Sequence, residues 1–106
     1  MAPNPRTERK IKLRDLEVLT AVVETGSMNR AASRLNTVQP AVSRSIAELE
    51  RHFGIRLLDR LPQGVEPTPQ GRALLNCAKA VFDDLRLGVE HVELIVGVAK
   101  HREPIL

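Results

Sequence analysis

Leu13, Leu16, Leu19, Val22 and Val23 recur at intervals of three and four residues until the chain reaches Thr25-Gly26. That spacing places them on one face of a helix, and glycine is suited to the left-handed backbone that stops one. Ser27 then offers a hydroxyl to cap a second, shorter helix, whose Ala31-Ala32 pair permits close helix crossing and whose end is anchored by Leu35. After Asn36-Thr37, the positions Val42, Ile46, Leu49 and Phe53 form a second apolar stripe, which predicts a helix from about Val38 to Phe53, stopped by Gly54. Pro40 fits because it falls in the first turn, where its missing N–H breaks no bond.

The outward face of this third helix carries Pro40, Arg44, Ala47 and Arg51, with Gln39 and Ser43 on its leading edge and no large apolar residue. Small side chains allow close approach to a groove. Arginine can donate two hydrogen bonds to guanine, glutamine can pair with adenine, and serine can reach a base or a phosphate. A lone arginine usually solvates a surface helix, and the alternative for Arg44 and Arg51 is that role alone. The combination with Gln39, Pro40 and Ser43 favours DNA.

Between Ile55 and Pro67 the pattern changes to short apolar pieces around the turn composition Leu61-Pro62-Gln63-Gly64. Two short strands joined there make a wing, which sets Arg56 and Arg60 beside the third helix. Arg60 either reaches flanking phosphate or the minor groove, or pairs with Asp59 or Glu66. Thr68 as N-cap and Pro69 at the first helical position then open a long helix. Its seam of Leu74, Ala78, Val81, Leu85, Val92 and Ile95 runs to about Val98, interrupted around Gly88. So small a domain cannot cover such a helix, and the seam is expected to pair with its copy in a second subunit. The domain plan is a loose basic arm (1–10), a DNA-binding domain (11–68), a linker and dimerisation helix (69–98) and a tail (99–106). Simple disorder is the expected state of the arm, with contact to DNA by Arg6, Arg9 or Lys10 as the alternative.

Composition narrows the classes. In 106 residues there are two Phe and no Trp or Tyr, which restricts the core to one small domain. A formal charge of +3 with a pI near 9.6 agrees with a polyanionic partner without requiring one. The single cysteine, Cys77, excludes an intramolecular disulfide and a cysteine-based metal site, fits a reducing compartment, and is expected to be buried or at an interface. His52, His91 and His101 are scattered and converge with no nucleophile or carboxylate pair, so neither catalysis nor a metal or other cofactor is expected. No apolar run is long enough to span a bilayer, and the chain is expected in the cytoplasm.

The order Leu13-x-x-Leu16, Gly26-Ser27, Ala31-Ala32-x-x-Leu35, Gln39-Pro40-Ala41-Val42-Ser43-Arg44, Ile46, Leu49-Glu50, Gly54, Leu57, Arg60, Thr68 and Gly71 resembles the N-terminal region of LysR-type transcriptional regulators. The resemblance covers Ile11 to about Val98. It implies a mainly α fold, a winged helix-turn-helix of three helices and a two-stranded wing followed by a long dimerisation helix. Matched residue by residue, it assigns Gln39, Pro40, Ser43 and Arg44 to base reading, and Arg60 to the wing. Ser27 and Arg30 match the positions that meet the DNA backbone, and Arg34, Thr37, Arg51 and Arg56 are added to that group from their placement. The implied function is a bacterial, nucleoid-associated regulator that binds a partly palindromic promoter site as a dimer.

Three departures stand out. Val38 replaces the usual capping serine, so the cap is absent or moved to Thr37. Gln63 replaces a frequent wing arginine and Pro67 a leucine, while Leu19, Met28 and Leu58 stand where phenylalanine is common. The sequence also stops at Pro104-Ile105-Leu106, before the effector-binding domain of such regulators. A DNA-binding fragment or a short relative is expected, with a small-molecule inducer, or assembly into a tetramer, belonging only to a longer chain.

Overall fold

The computed structural model describes residues 11–102, with side chains as far as Gly97. The elements are α1 (Leu13–Thr25), α2 (Met28–Arg34), α3 (Gln39–Phe53), β1 (Leu58–Leu61), β2 (Gly64–Pro67) and α4 (Pro69–Arg102). The expected arm at 1–10 and the last four residues of the expected tail lie outside the described residues.

Each short helix is bounded by local chemistry. Gly26 closes α1 in the left-handed region at φ 71°, its N–H donating to Val22 O. The Ser27 hydroxyl accepts from Arg30 N–H at 3.2 Å and caps α2. Asn36 takes φ 57° in the turn that follows, a conformation asparagine tolerates better than most residues, and Thr37 N–H donates back to Ala32 O at 2.8 Å. Val38 occupies the cap position of α3 with no side-chain hydrogen bond, so neither serine nor Thr37 caps this helix. Its carbonyl accepts from Ala41 N–H and Val42 N–H instead.

The core lies where α1, α2 and α3 meet. Leu19, Val22, Val42 and Leu49 are fully enclosed there, together with Leu57 at the entrance to the wing. Aliphatic side chains thus fill the space that Leu19, Met28 and Leu58 share, as all three are buried. Phe53 departs from the expected stripe: it is 37% exposed, because the helix ends there and runs past the edge of the core. Leu13, at the first turn of α1, is exposed for the same reason.

β1 and β2 pair antiparallel from Leu58↔Pro67 to Leu61↔Gly64, leaving Pro62-Gln63 as the turn. The hairpin is pinned to the α1–α2 corner, where Val65 N–H donates to Gly26 O at 3.1 Å. Thr68 then joins the wing to α4. Its hydroxyl donates to Arg56 O at 2.8 Å and accepts from Gly71 N–H at 3.0 Å, which caps the helix.

α4 has two different halves. In the first, Leu75 and Ala78 are buried against the domain and Leu74 packs at the edge of the core. This corrects the expected dimer seam at Ala78, which has 0% of its surface left for a partner, while Leu74 is half-buried by its own chain. The same packing leaves Cys77 exposed, one position around the helix from Ala78, so of its two expected placements, buried or at an interface, burial within the chain is not adopted. In the second half Val81, Leu85, Val92 and Ile95 are all exposed. The helix also runs to Arg102 where an end near Val98 was expected, no proline intervening before Pro104.

A Cβ placed on Gly71 would collide with the Leu57 carbonyl, backbone that no rotamer change can clear. Gly71→Ala is therefore expected to destabilise the domain by ~1–3 kcal/mol, although alanine is the better helix former. Urea unfolding followed by circular dichroism checks this, and an unchanged or raised midpoint would contradict it.

Candidate nucleic-acid interface

The leading edge of α3 has a defined arrangement. Gln39 and Ser43 sit one turn apart on the helix, and Gln39 Nε2 donates to Ser43 Oγ at 2.7 Å. This bond holds both side chains half-buried against the first turn, while Pro40 and Arg44 stand exposed beside them. Arg44 has no ion pair among the described residues, and the outward face around it carries no carboxylate until Glu48. Its guanidinium is thus presented without a competing acceptor, a precondition for bidentate contact to a base or phosphate.

The wing and the N-terminus of α2 flank this edge. A shallow cleft between them is bordered by Ser27, Asn29, Gln39, Arg60 and Gln63. Ser27 is committed to capping α2, so its hydroxyl serves the fold before it can serve a ligand. Arg30 and Arg60 are exposed and have no ion pair among the described residues. Of the two alternatives for Arg60, pairing with Asp59 or Glu66 is not adopted, and Asp59 lies instead 3.9 Å from Arg56.

Three other arginines differ from that pattern. Arg34 Nη1 pairs with Glu24 at 2.7 Å, tying α2 to α1, and Arg51 Nη1 pairs with Glu48 at 2.9 Å within α3. Arg56 donates to Leu58 O at 3.4 Å in addition to its contact with Asp59. All three pairs are about half exposed or more, so each contributes at most ~1 kcal/mol and could be exchanged for a phosphate. Thr37 is half-buried in the turn before α3. The structure thus sets Gln39 and Arg60 on one cleft, ties Gln39 to Ser43, leaves Pro40, Arg44 and Arg30 exposed, and gives Arg34, Arg51 and Arg56 intramolecular partners.

Glu50 is the residue that sequence reasoning did not assign. Its Oε2 accepts from Leu57 N–H at 2.7 Å and Leu58 N–H at 3.3 Å, which fixes the start of the wing to the last turns of α3. Glutamate in the last turns of a helix is unfavourable to the helix dipole, and that mismatch was the available signal for a role outside the helix. Asn29 and Gln63, which border the cleft, gave no signal in their spacing.

Among the described residues, no group of three or more His, Cys, Asp or Glu is placed to hold a metal ion, and no helix is long and apolar enough to cross a membrane. His52 lies at the end of α3 with its ring edge-on to Phe53, centroids 5.0 Å apart. His101 has no described side chain.

The sequence profile of the bacterial regulatory helix-turn-helix proteins of the lysR family matches residues 13–72, from the start of α1 into α4. The chain belongs to the LysR family. Among similar LysR-family proteins, the HTH-type transcriptional regulator CbbR of Sinorhizobium medicae is 37% identical over 94 residues, covering 89% of this chain and 30% of that protein. The uncharacterized HTH-type transcriptional regulator YdcI of Escherichia coli is 40% identical over 83 residues, 78% of this chain and 27% of its own length. The chain therefore spans less than a third of either relative. The crystal structure of the BenM DBD/catB site 1 DNA complex superposes with a TM-score of 0.76 at 35% identity, covering 80% of this chain and 96% of that one. The CbnR DBD–DNA complex does so with a TM-score of 0.72 at 32% identity, covering 80% and 98%. A winged helix-turn-helix with a long following helix is accordingly both the observed and the family architecture.

Removing the Glu50 carboxylate leaves two N–H groups at the wing entrance without their acceptor. Glu50→Ala is expected to lower stability by ~1–3 kcal/mol and to speed amide exchange at Leu57 and Leu58 far more than at Leu19. Exchange measured by NMR tests this, and equal acceleration at all three sites would remove the specific role.

Proposed function

We propose that this chain is the DNA-binding part of a LysR-type transcriptional regulator, which binds a partly palindromic promoter site as a dimer. The observation that carries this reading is the edge formed by Gln39, Pro40, Ser43 and Arg44, unobstructed by apolar bulk and flanked by Arg30 and Arg60, neither of them ion-paired among the described residues. α3 enters the major groove by its N-terminal half, as second helices of this motif do. Arg44 and Gln39 address base edges, Ser43 orients Gln39, and Pro40 allows close approach. Arg30 and Arg60 contact phosphate on either side. Ser27 and Thr37 present their hydroxyl groups to the same strand, and Arg34, Arg51 and Arg56 join by exchanging their carboxylates for phosphate.

Two domains reach two half-sites when α4 pairs with its copy through Val81, Leu85, Val92 and Ile95. Half-sites then lie one helical turn, ~34 Å, or a multiple of it apart. The similarity of the fold to the DNA-bound BenM and CbnR domains supports the DNA assignment. Regulation by a small molecule, and any higher assembly, belong to the part of the relatives that this chain does not span. The site is one of binding rather than catalysis, and its place of action is the bacterial nucleoid.

A second reading treats α4 as the working element of a protein-interaction module, favoured by its long exposed apolar face. Salt separates the two, because neutralising several phosphates makes affinity fall steeply with ionic strength, whereas apolar helix pairing does not weaken that way.

Selection of bound duplexes from a random pool supplies the site. On that duplex Arg44→Ala is expected to cost ~1–3 kcal/mol and to relax preference at one base pair, whereas Arg30→Ala weakens all sequences alike. Anisotropy titrations at fixed salt check both, and an Arg44→Ala protein with full affinity and selectivity would overturn the assigned edge.

A further inference from the structure

Nothing in the fold explains the side chain of Val38. It occupies the cap position of α3, where valine is among the poorest choices because it offers the helix N–H groups no oxygen, and it makes no side-chain hydrogen bond there. Nor does it belong to the core. Its surface is 63% open, more than that of any other exposed large hydrophobic residue described outside α4. Those others are Leu13, in the first turn of α1, and Phe53 and Ile55, which border an apolar cleft with Leu57 and Leu74 at the far end of α3. Val38 alone among them stands at the tip from which α3 presents Gln39 and Pro40.

The placement of Val38 is nonetheless fixed. Its backbone is extended, at φ −110° and ψ 153°, and its carbonyl accepts from Ala41 N–H at 3.0 Å and Val42 N–H at 3.3 Å, which ties the residue to the first turn. A β-branched side chain has few rotamers, so two methyl groups are held outward with little entropy left to lose. Along α3 the residues Val38, Ala41 and Arg44 then follow at three-residue intervals, neighbours down one side of the helix. In zinc fingers the residue just before the helix and the third and sixth residues within it meet successive bases of the major groove. With Gln39 as the first helical residue, those positions are Val38, Ala41 and Arg44.

In the major groove the base edges offer hydrogen-bonding groups with one apolar exception, the 5-methyl group of thymine. We infer that Val38 is a specificity-determining residue, which packs on a thymine 5-methyl group within about three base pairs of the pair read by Arg44. The spacing follows from the six residues between them, ~9 Å of helix, against about 3.4 Å per base pair. The inference rests on the DNA reading above and deepens it by naming a base. A serine at this position would cap α3 and present a hydroxyl. Valine gives up the cap and gains a contact that thymine alone supplies, since cytosine and the purines would leave its methyl groups against a polar edge.

Uracil scanning of the selected duplex tests the inference. Each thymine is replaced singly by deoxyuridine, which keeps the base pair and removes only the methyl group, and affinity is measured by anisotropy at fixed salt. The unaltered chain is expected to lose roughly three- to fivefold in affinity at one thymine per half-site, as the burial of one methyl group supplies. Val38→Ser is expected to bind the thymine and uracil duplexes alike at that position, while its free form melts no lower because serine restores a cap. Val38→Ile is expected to retain the uracil response. If Val38→Ser shows the full response, or if no thymine responds in the unaltered chain, Val38 reads no methyl group and the DNA reading stands on the selected site. If selection enriches no duplex, both fall.

Discussion

Leu57 is the point through which the recognition helix, the wing and the long helix are held in one geometry. Its N–H donates to Glu50 on α3, its carbonyl accepts from Thr68 N–H at the foot of α4, and its side chain is fully enclosed in the core. Gly71 lies so close to that carbonyl that no other residue fits there. Because buried backbone polar groups are costly to leave unpaired, these contacts form together or not at all. The angle between α3 and α4, and with it the placement of one reading edge relative to another in a dimer, follows from this junction.

The start of α3 is built on the opposite principle. Val38 gives the helix no side-chain cap, and loss of a cap commonly costs ~1 kcal/mol. Val38 is also 63% exposed. Order at this end comes from Pro40, which presets its own backbone angle, and from the Gln39–Ser43 bond, which spends two polar side chains on each other. Both are groups that a DNA edge can recruit. The N-terminal end of a helix carries a partial positive charge that favours an anion such as phosphate, so the departure from the family pattern weakens the free helix at the place where the proposed ligand compensates.

The two halves of α4 show why a seam read from spacing alone misleads in part. Leu74 and Ala78 belong to the same periodic stripe as Leu85 and Val92, yet the first pair packs within the chain and the second is exposed. Periodicity identifies the face that must be covered. It does not say what covers it, because α1 and a second helix both present aliphatic surface. The same gap explains Cys77, whose position beside Ala78 on the helix decides its exposure.

Local signals in the sequence were enough to determine the three short helices and the start of α4, their glycine stops, the Ser27 and Thr68 caps, the wing turn and the polar edge of α3. Each depends on residues within a few positions of one another, where backbone geometry leaves little choice. Tertiary structure alone decided the rest: that Glu50 serves the wing, that Gly71 exists for Leu57, that Arg34 is drawn to Glu24 while Arg60 has no ion pair among the described residues, and that α4 is half covered. Those outcomes join residues that lie between seven and fourteen positions apart, or on different elements. Contacts at such separations are set by how faces pack, which spacing along the chain constrains without specifying.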